Sequence, residues 1–96
     1  MNGKRSAAVP TLQIENERII VTEWRFPPFA ETTWHTHQYD YIVVPQITGQ
    51  LLIESDMGET LSNLICGQSY SRKKGIKHNV INNNDYEFVF IEIELK

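Results

Sequence analysis

The chain has 96 residues, enough for one small domain with one hydrophobic core, and no room for a second catalytic or DNA-binding domain beside it. Twelve acidic and nine basic residues give a net charge of −3, which argues against a broad electrostatic surface for nucleic acid. No long apolar run or apolar secretory stretch occurs, and the single cysteine, Cys66, cannot form an intramolecular disulfide. We therefore expect a cytoplasmic protein that binds neither nucleic acid nor a membrane.

The first half of the chain predicts a tail followed by strands. Residues 1–9 are small, polar and basic without periodicity, so we expect a flexible tail, with the folded domain spanning residues 10–96. ERIIVTEWRF (17–26) is rich in β-branched and aromatic residues and predicts a strand. After two prolines, TTWHTH (32–37) predicts a second β-rich run, which YIVV (41–44) extends.

The second half predicts a hairpin and then the clearest strand. QLLIE (50–54) and TLSNLICG (60–67) flank the turn residues SDMGE and predict a hairpin. In the last run Ile91, Ile93 and Leu95 alternate with charged residues, which is the period of a strand with one face toward a core. Since no window shows helical spacing, we predict an all-β domain of about eight short strands in a sandwich or barrel.

The stretch WHTHQYDY (34–41) raises the question of a metal site. Alternate side chains of a strand share a face, so His35 and His37 project together, about 6.6 Å apart along the strand. Imidazole nitrogen suits zinc, iron, copper, nickel and manganese, although two such histidines can also simply hydrogen-bond their neighbours. His78 lies far along the chain, but an antiparallel barrel can bring it to the same interior.

Two sequence motifs show that the chain resembles a small single-domain cupin over roughly residues 20–95. Cupins carry a second motif, G-x5-P-x-G-x2-H-x3-N, in which this chain has Lys73 in the place of proline. The other positions of that motif are matched at the family's spacing by Gly67, Gly75, His78 and Asn82. The first motif, G-x5-H-x-H-x3,4-E-x6-G, is matched at His35, His37 and Gly49, with Phe29 in the place of the opening glycine.

The resemblance implies a fold, a metal and a partner. The fold is the cupin double-stranded β-helix, a jelly-roll barrel, and the cofactor is a divalent transition metal (Fe, Mn, Zn, Ni or Cu) held by His35, His37 and His78. It also implies a homodimer formed through edge strands or exchanged N-terminal strands, for which the apolar RIIV (18–21) is a candidate edge.

The glutamate of the first motif is missing, because Tyr41 and Ile42 stand at its two permitted positions. Strand parity places Tyr41 on the histidine face and Asp40 on the other, so Asp40 becomes a ligand only if a bulge intervenes. Tyr41 is a candidate for contacting the ion or orienting a bound water, or else an aromatic that fills the barrel. Without the carboxylate the ion keeps its full charge, which favours anionic or chelating small molecules.

The polar and glycine positions of the motifs have architectural roles. Gly49 and Gly75 stand where a small barrel bends its chain, which calls for positive φ or close backbone approach. Asn82 opens the NNND turn and can close an Asx-type hydrogen bond there.

Two functions stay open at the level of the sequence. If the protein is an enzyme, the resemblance implies a metal-dependent dioxygenase, isomerase or lyase that acts on a small polar substrate. The alternative is a non-catalytic small-molecule binding or sensing module, with or without a metal. The sequence offers no nucleophile elbow and no phosphate loop that would favour another chemistry.

Overall fold

The computed structural model describes residues 4–96, which form strands and no helix. The strand bounds are β1 (Val9–Glu15), β2 (Ile19–Phe26), β3 (His35–Thr36), β4 (Asp40–Pro45), β5 (Gly49–Ser55), β6 (Gly58–Leu64), β7 (Tyr70–Arg72), β8 (Lys77–Asn82) and β9 (Phe88–Leu95). The described residues thus form nine strands, where about eight were expected. The predicted all-β class is confirmed.

The strands form two antiparallel sheets whose order follows a jelly roll. One sheet has the order β1-β2-β9-β4-β7 and the other the order β3-β8-β5-β6. The chain crosses between the sheets after β2, β3, β4, β6, β7 and β8, while β1-β2 and β5-β6 are hairpins. The predicted hairpin and the predicted double-stranded β-helix are therefore both present.

The core lies between the two sheets. Phe26 and Phe88 from the five-stranded sheet are fully buried, and the rings of Phe26 and Phe90 lie 5.5 Å apart. Leu51 and Val80 of the other sheet pack into the same cluster. Aromatic and branched side chains from facing strands thus supply the apolar area that stabilises the fold.

The histidine run and YIVV belong to different sheets, contrary to the continuous run that the sequence suggested. β3 ends at Thr36 and pairs with β8, whereas β4 begins at Asp40 and pairs with β7 and β9. Between them the amide of His37 donates to Ile76 O at 2.9 Å. Strand parity therefore does not extend from His37 to Asp40, because the chain changes sheets there.

β9 alternates as predicted, but its carboxylates face the interior. Phe88 is fully buried and Phe90 is 5% exposed. Glu92 lies on the same face of the strand as these two residues and is 8% exposed. Ile91 and Ile93, on the opposite face, are only half-buried. The phenylalanines, not the isoleucines, therefore mark the inner face of this strand.

The N-terminal strand forms the edge of the larger sheet. β1 pairs with β2 alone, and all seven of its residues are exposed. RIIV lies largely in β2, which β1 and β9 flank on both sides, so the expectation that it forms an edge is wrong. The flexible tail was predicted to span residues 1–9, of which residues 1–3 lie outside the described residues. Within the described part of that segment, backbone hydrogen bonds join Ser6 and Ala8 to Glu31.

Three motif positions show why the backbone needs particular residues. Gly75 has φ of 93°, and a Cβ at Gly49 would lie 2.9 Å from a ring atom of Phe88, so both predicted glycine roles are confirmed. Phe29, which replaces the opening glycine of the first motif, itself adopts φ of 60°. The left-handed backbone is thus kept although its usual residue, glycine, is absent.

Within residues 4–96 no helix is long and apolar enough to cross a membrane.

Candidate metal centre

Three histidines from two stretches of chain meet inside the barrel. His35 of β3 lies directly opposite His78 of β8 in the strand register, and His37 follows β3 at once. The Nε2 atom of His37 lies 3.2 Å from Nε2 of His35 and 2.9 Å from Nε2 of His78. The ligand atoms of the three rings all lie within 4.8 Å of one another.

Two of the three separations between these nitrogens match the spacing of ligands on one ion. A zinc–imidazole bond is about 2.0–2.1 Å long, so two imidazole nitrogens on one ion, at angles between octahedral and tetrahedral, are about 2.9–3.4 Å apart. The two shortest separations, 2.9 and 3.2 Å, lie in that interval. The three rings also stand nearly perpendicular to one another, with interplanar angles of 72–85°.

The backbone sets the tautomer of His35. Its Nδ1 lies 2.8 Å from the carbonyl oxygen of Thr33, and because a carbonyl can only accept, Nδ1 carries the hydrogen. In the neutral ring Nε2 therefore keeps its lone pair and points it at the other two histidines. A ligating histidine whose second nitrogen donates to a carbonyl is the usual arrangement in protein metal sites.

Burial keeps the other two histidines in the ligating form. Burial, followed by the charges of neighbouring His35 and His78, lowers the pKa of His37 to about 4. Burial, followed by the charge of His35, lowers the pKa of His78 to about 4. Both rings are therefore neutral at neutral pH and need lose no proton to bind a metal.

Tyr41 lies inside the barrel beside the histidines. Its ring is 4% exposed and stacks on the imidazole of His37, with ring centroids 3.9 Å apart. Burial, followed by the nearby Tyr70 and Glu92, raises the pKa of the Tyr41 phenol, so that the hydroxyl stays protonated. Tyr41 therefore contacts the site with the face of its ring, which lies against the imidazole of His37.

Asp40 lies on the other side of β4. Its carboxylate accepts a hydrogen bond of 2.9 Å from the amide of Lys74 and forms a 3.9 Å ion pair with Lys73. It is not one of the residues that gather around the histidines. Its role in the structure is to hold the β7–β8 turn against the beginning of β4.

A cavity extends from the three histidines to the surface. Its inner part is walled by apolar and aromatic side chains, among them Val43, Leu51 and Phe90, and is about 40 Å³ in volume. It continues into an outer pocket of about 470 Å³, into which His35 and His37 also face. A second depression, on the side of Arg72, shares His78 with the inner cavity. The centre is therefore reachable by a small molecule.

Glu92 is a site residue that the sequence reasoning did not find. Its carboxylate lines both the inner cavity and the outer pocket and accepts a 3.4 Å hydrogen bond from the indole of Trp24. Burial, with the charge of Glu94, raises the pKa of Glu92 to about 7. The parity it shares with Phe88 and Phe90 was the signal in the sequence, but the adjacent isoleucines suggested the opposite face.

Comparison with known proteins agrees with this geometry. The chain is 52% identical over 96 residues to "Beta-alanine degradation protein BauB" of Pseudomonas aeruginosa, a match that covers all of both chains. A crystal structure of a cupin domain from Bordetella pertussis is 59% identical, with a TM-score of 0.96 over 97% of each chain. The chain belongs to the cupin superfamily. The predicted resemblance is confirmed.

More distant cupins share the fold alone. A cupin superfamily protein from Desulfitobacterium hafniense is 12% identical, with a TM-score of 0.72 over 99% of this chain and 83% of that one. Comparison with models of protein families finds no match.

Proposed function

We propose that this cupin binds one divalent transition-metal ion through His35, His37 and His78 and presents it to a small molecule. The observation that carries the proposal is the gathering of three imidazole rings, in which Nε2 of His37 lies 3.2 Å from Nε2 of His35 and 2.9 Å from Nε2 of His78. Imidazole donors suit iron, manganese, zinc, nickel and copper. A bound ion would supply Lewis-acid or oxygen-activating chemistry.

The residues around the histidines prepare the site for that role. The Thr33 carbonyl holds the His35 ring, and the ring of Tyr41 holds His37, so two of the three donors are oriented before an ion arrives. The inner cavity is small and partly walled by apolar side chains, and the larger outer pocket beside it has room for a ligand. The three histidines leave further coordination positions for that ligand, as in catalytic metal sites.

The curated relative suggests the kind of ligand. BauB is named as a β-alanine degradation protein, and the match covers the whole of both chains. We therefore propose that this cupin acts on, or binds, β-alanine or a small compound formed during its breakdown. The oxygenase, isomerase and lyase reactions all remain within this proposal, and a purely binding role is the outcome if no turnover is found.

The expected assembly and location are part of the proposal. Paired residues of the neighbouring strands β4 and β9 place Ile42, Ile91 and Ile93 on one outer face of the larger sheet, all half-buried. A second copy of the chain would cover this apolar face, so we propose a homodimer. The lone Cys66 is consistent with a reducing, cytoplasmic setting.

Metal analysis tests the central claim. Protein purified without chelator and then reconstituted with Fe(II), Mn(II) or Zn(II) should hold close to one ion per chain by mass spectrometry of the metals. His35→Ala, His37→Ala and His78→Ala should each lose most of it, whereas Lys77→Ala, an exposed neighbour of His78, should not. Unchanged metal occupancy in the His35→Ala variant would disprove the proposal. Oxygen uptake and product analysis with β-alanine and its derivatives then separate an enzyme from a binding module.

A further inference from the structure

We propose that Glu92 is the ligand-recognition residue of the cavity and that its carboxylate receives an amino group of the small molecule bound at the histidines. The inference rests on the proposed function, because it assumes a ligand that reaches the three-histidine centre. It adds the residue that recognises the ligand and the group that is recognised, the amino group of a small amine or amino acid.

Glu92 is a buried acid without a buried cation. It is 8% exposed, and its described hydrogen bond comes from the neutral indole of Trp24. No lysine or arginine of the described residues 4–96 lines the inner cavity or the outer pocket. A carboxylate in such a place is costly unless it is paired, and an ammonium group on a ligand would provide the missing partner.

Glu92 also lies on the route to the histidines. It lines the inner cavity together with His35, His37 and His78, and it lines the outer pocket together with Glu94. A molecule in the outer pocket therefore lies beside two acidic side chains as well as the rings of His35 and His37. This wall attracts cationic groups and repels anionic ones.

The cavity thus holds groups that favour opposite charges. Three imidazole ligands carry no negative charge, so a divalent ion bound by them would keep its full charge, which favours a carboxylate or another anionic donor. Glu92 favours an ammonium group, which offers three hydrogen-bond donors and cancels its charge. A small zwitterion satisfies both groups, whereas a simple carboxylic acid leaves Glu92 without a partner.

Trp24 provides a direct readout that does not depend on turnover. Its indole donates to Glu92, and the other tryptophan, Trp34, is half-exposed. In a Trp34→Phe background the fluorescence of Trp24 alone reports on ligands that reach Glu92. Zinc-loaded protein would be titrated with β-alanine and with propionate, which has the same carbon chain without the amino group.

We expect β-alanine to bind about 10- to 100-fold more tightly than propionate, the effect of one hydrogen bond to a charged group. Glu92→Gln should bring the two affinities within about threefold of each other, and Glu92→Asp should restore part of the preference. The matched control is Glu59→Gln, on the exposed strand β6, which should keep the full preference. Far-ultraviolet circular dichroism would check that each variant is folded.

Equal affinities for the two probes, an undiminished preference in Glu92→Gln, or no binding of either probe would each overturn the role of Glu92. Zinc content, measured on the same samples, keeps this result apart from the metal proposal. If zinc is absent, the comparison is made on metal-free protein between propylamine and propanol, and a missing amine preference would again overturn it.

Discussion

The imidazole of His37 stacks on the ring of Tyr41, with ring centroids 3.9 Å apart and planes inclined by 21°. This contact joins β4 of one sheet to the segment that follows β3 of the other. It fixes the plane of the His37 ring, whose Nε2 lies 2.9 Å from Nε2 of His78. Tyr41, at the position of the missing glutamate, therefore orients a candidate ligand through the face of its ring.

Two substitutions of Tyr41 separate its ring from its hydroxyl. Tyr41→Phe keeps the stack, so we expect zinc affinity within about twofold of the original. Tyr41→Leu removes the aromatic partner and should weaken zinc binding about 10- to 100-fold, as loss of a group that orients a ligand usually does. Competition with a chromogenic chelator measures both. A large loss in Tyr41→Phe would instead assign the phenol oxygen a direct role at the ion.

Asp40→Ala should leave metal content unchanged. Its carboxylate is bonded to the Lys74 amide and lies outside the histidine cluster. We expect the free energy of unfolding to fall by about 1 kcal/mol, because an exposed hydrogen bond at a turn is lost. Metal analysis and urea unfolding provide the two readouts. Reduced metal content in the folded variant would place this carboxylate at the centre after all.

Phe29 should show the energetic cost of its left-handed backbone. With φ of 60° a side chain at this position is strained, and glycine is not. Phe29→Gly should therefore be more stable than Phe29→Ala by about 1 kcal/mol, since the two variants differ in the Cβ alone. At positions with negative φ, the alanine variant is usually the more stable of the two. Urea midpoints in which the alanine variant is the more stable would contradict this explanation of the motif.

Asn82 holds the turn before β9 from inside the barrel. It is fully buried, its Nδ2 donates to the carbonyls of Phe26, Pro27 and Tyr86, and its Oδ1 accepts from the Asn84 amide. The predicted Asx-type bond is confirmed.

Asn82→Ala should destabilise the fold by about 3 kcal/mol, because buried carbonyls lose their donor. Asn82→Asp should cost at least as much, since a carboxylate cannot donate and faces the same oxygens. Asn83→Ala, at the exposed neighbouring position, serves as the control with an effect under about 0.5 kcal/mol. Thermal or urea unfolding measures the series, and equal effects at residues 82 and 83 would disprove the role of burial.

The stability of the metal-free protein should depend on two opposed titrations. Burial lowers the pKa of His37 and His78 from 6.5 to about 4, so between these values the unfolded chain binds more protons and the fold weakens as pH falls. Burial raises the pKa of Glu92 from 4.5 to about 7, so over that range the folded chain binds the extra proton and the fold gains stability as pH falls.

Glu92→Gln removes the second effect alone. The decline in the free energy of unfolding from pH 7 to pH 5 should become steeper than in the unaltered protein, by about 2 kcal/mol. Urea unfolding of chelator-treated samples at pH 7, 6 and 5 measures both declines. An equal or shallower decline in the variant would show that Glu92 ionises in the fold as it does in the unfolded chain.

The sequence alone determined the fold class, the cupin resemblance and the three histidines. Strand periodicity is a local property of the chain, and the motif spacing of His35, His37 and His78 is visible without coordinates. The positive φ at Gly75 and the crowding at Gly49 also followed from local backbone requirements. These features were predictable because neighbouring residues are sufficient to specify them.

Tertiary structure decided which side chains share the cavity. Periodicity states that Glu92 and Ile91 lie on opposite faces of β9, but only the packing of the two sheets decides that Glu92 faces inward. Likewise, the change of sheet between His37 and Asp40 arises from pairing with distant strands β8, β7 and β9. The strand period leaves the choice of face open, and long-range contacts between the sheets resolve it.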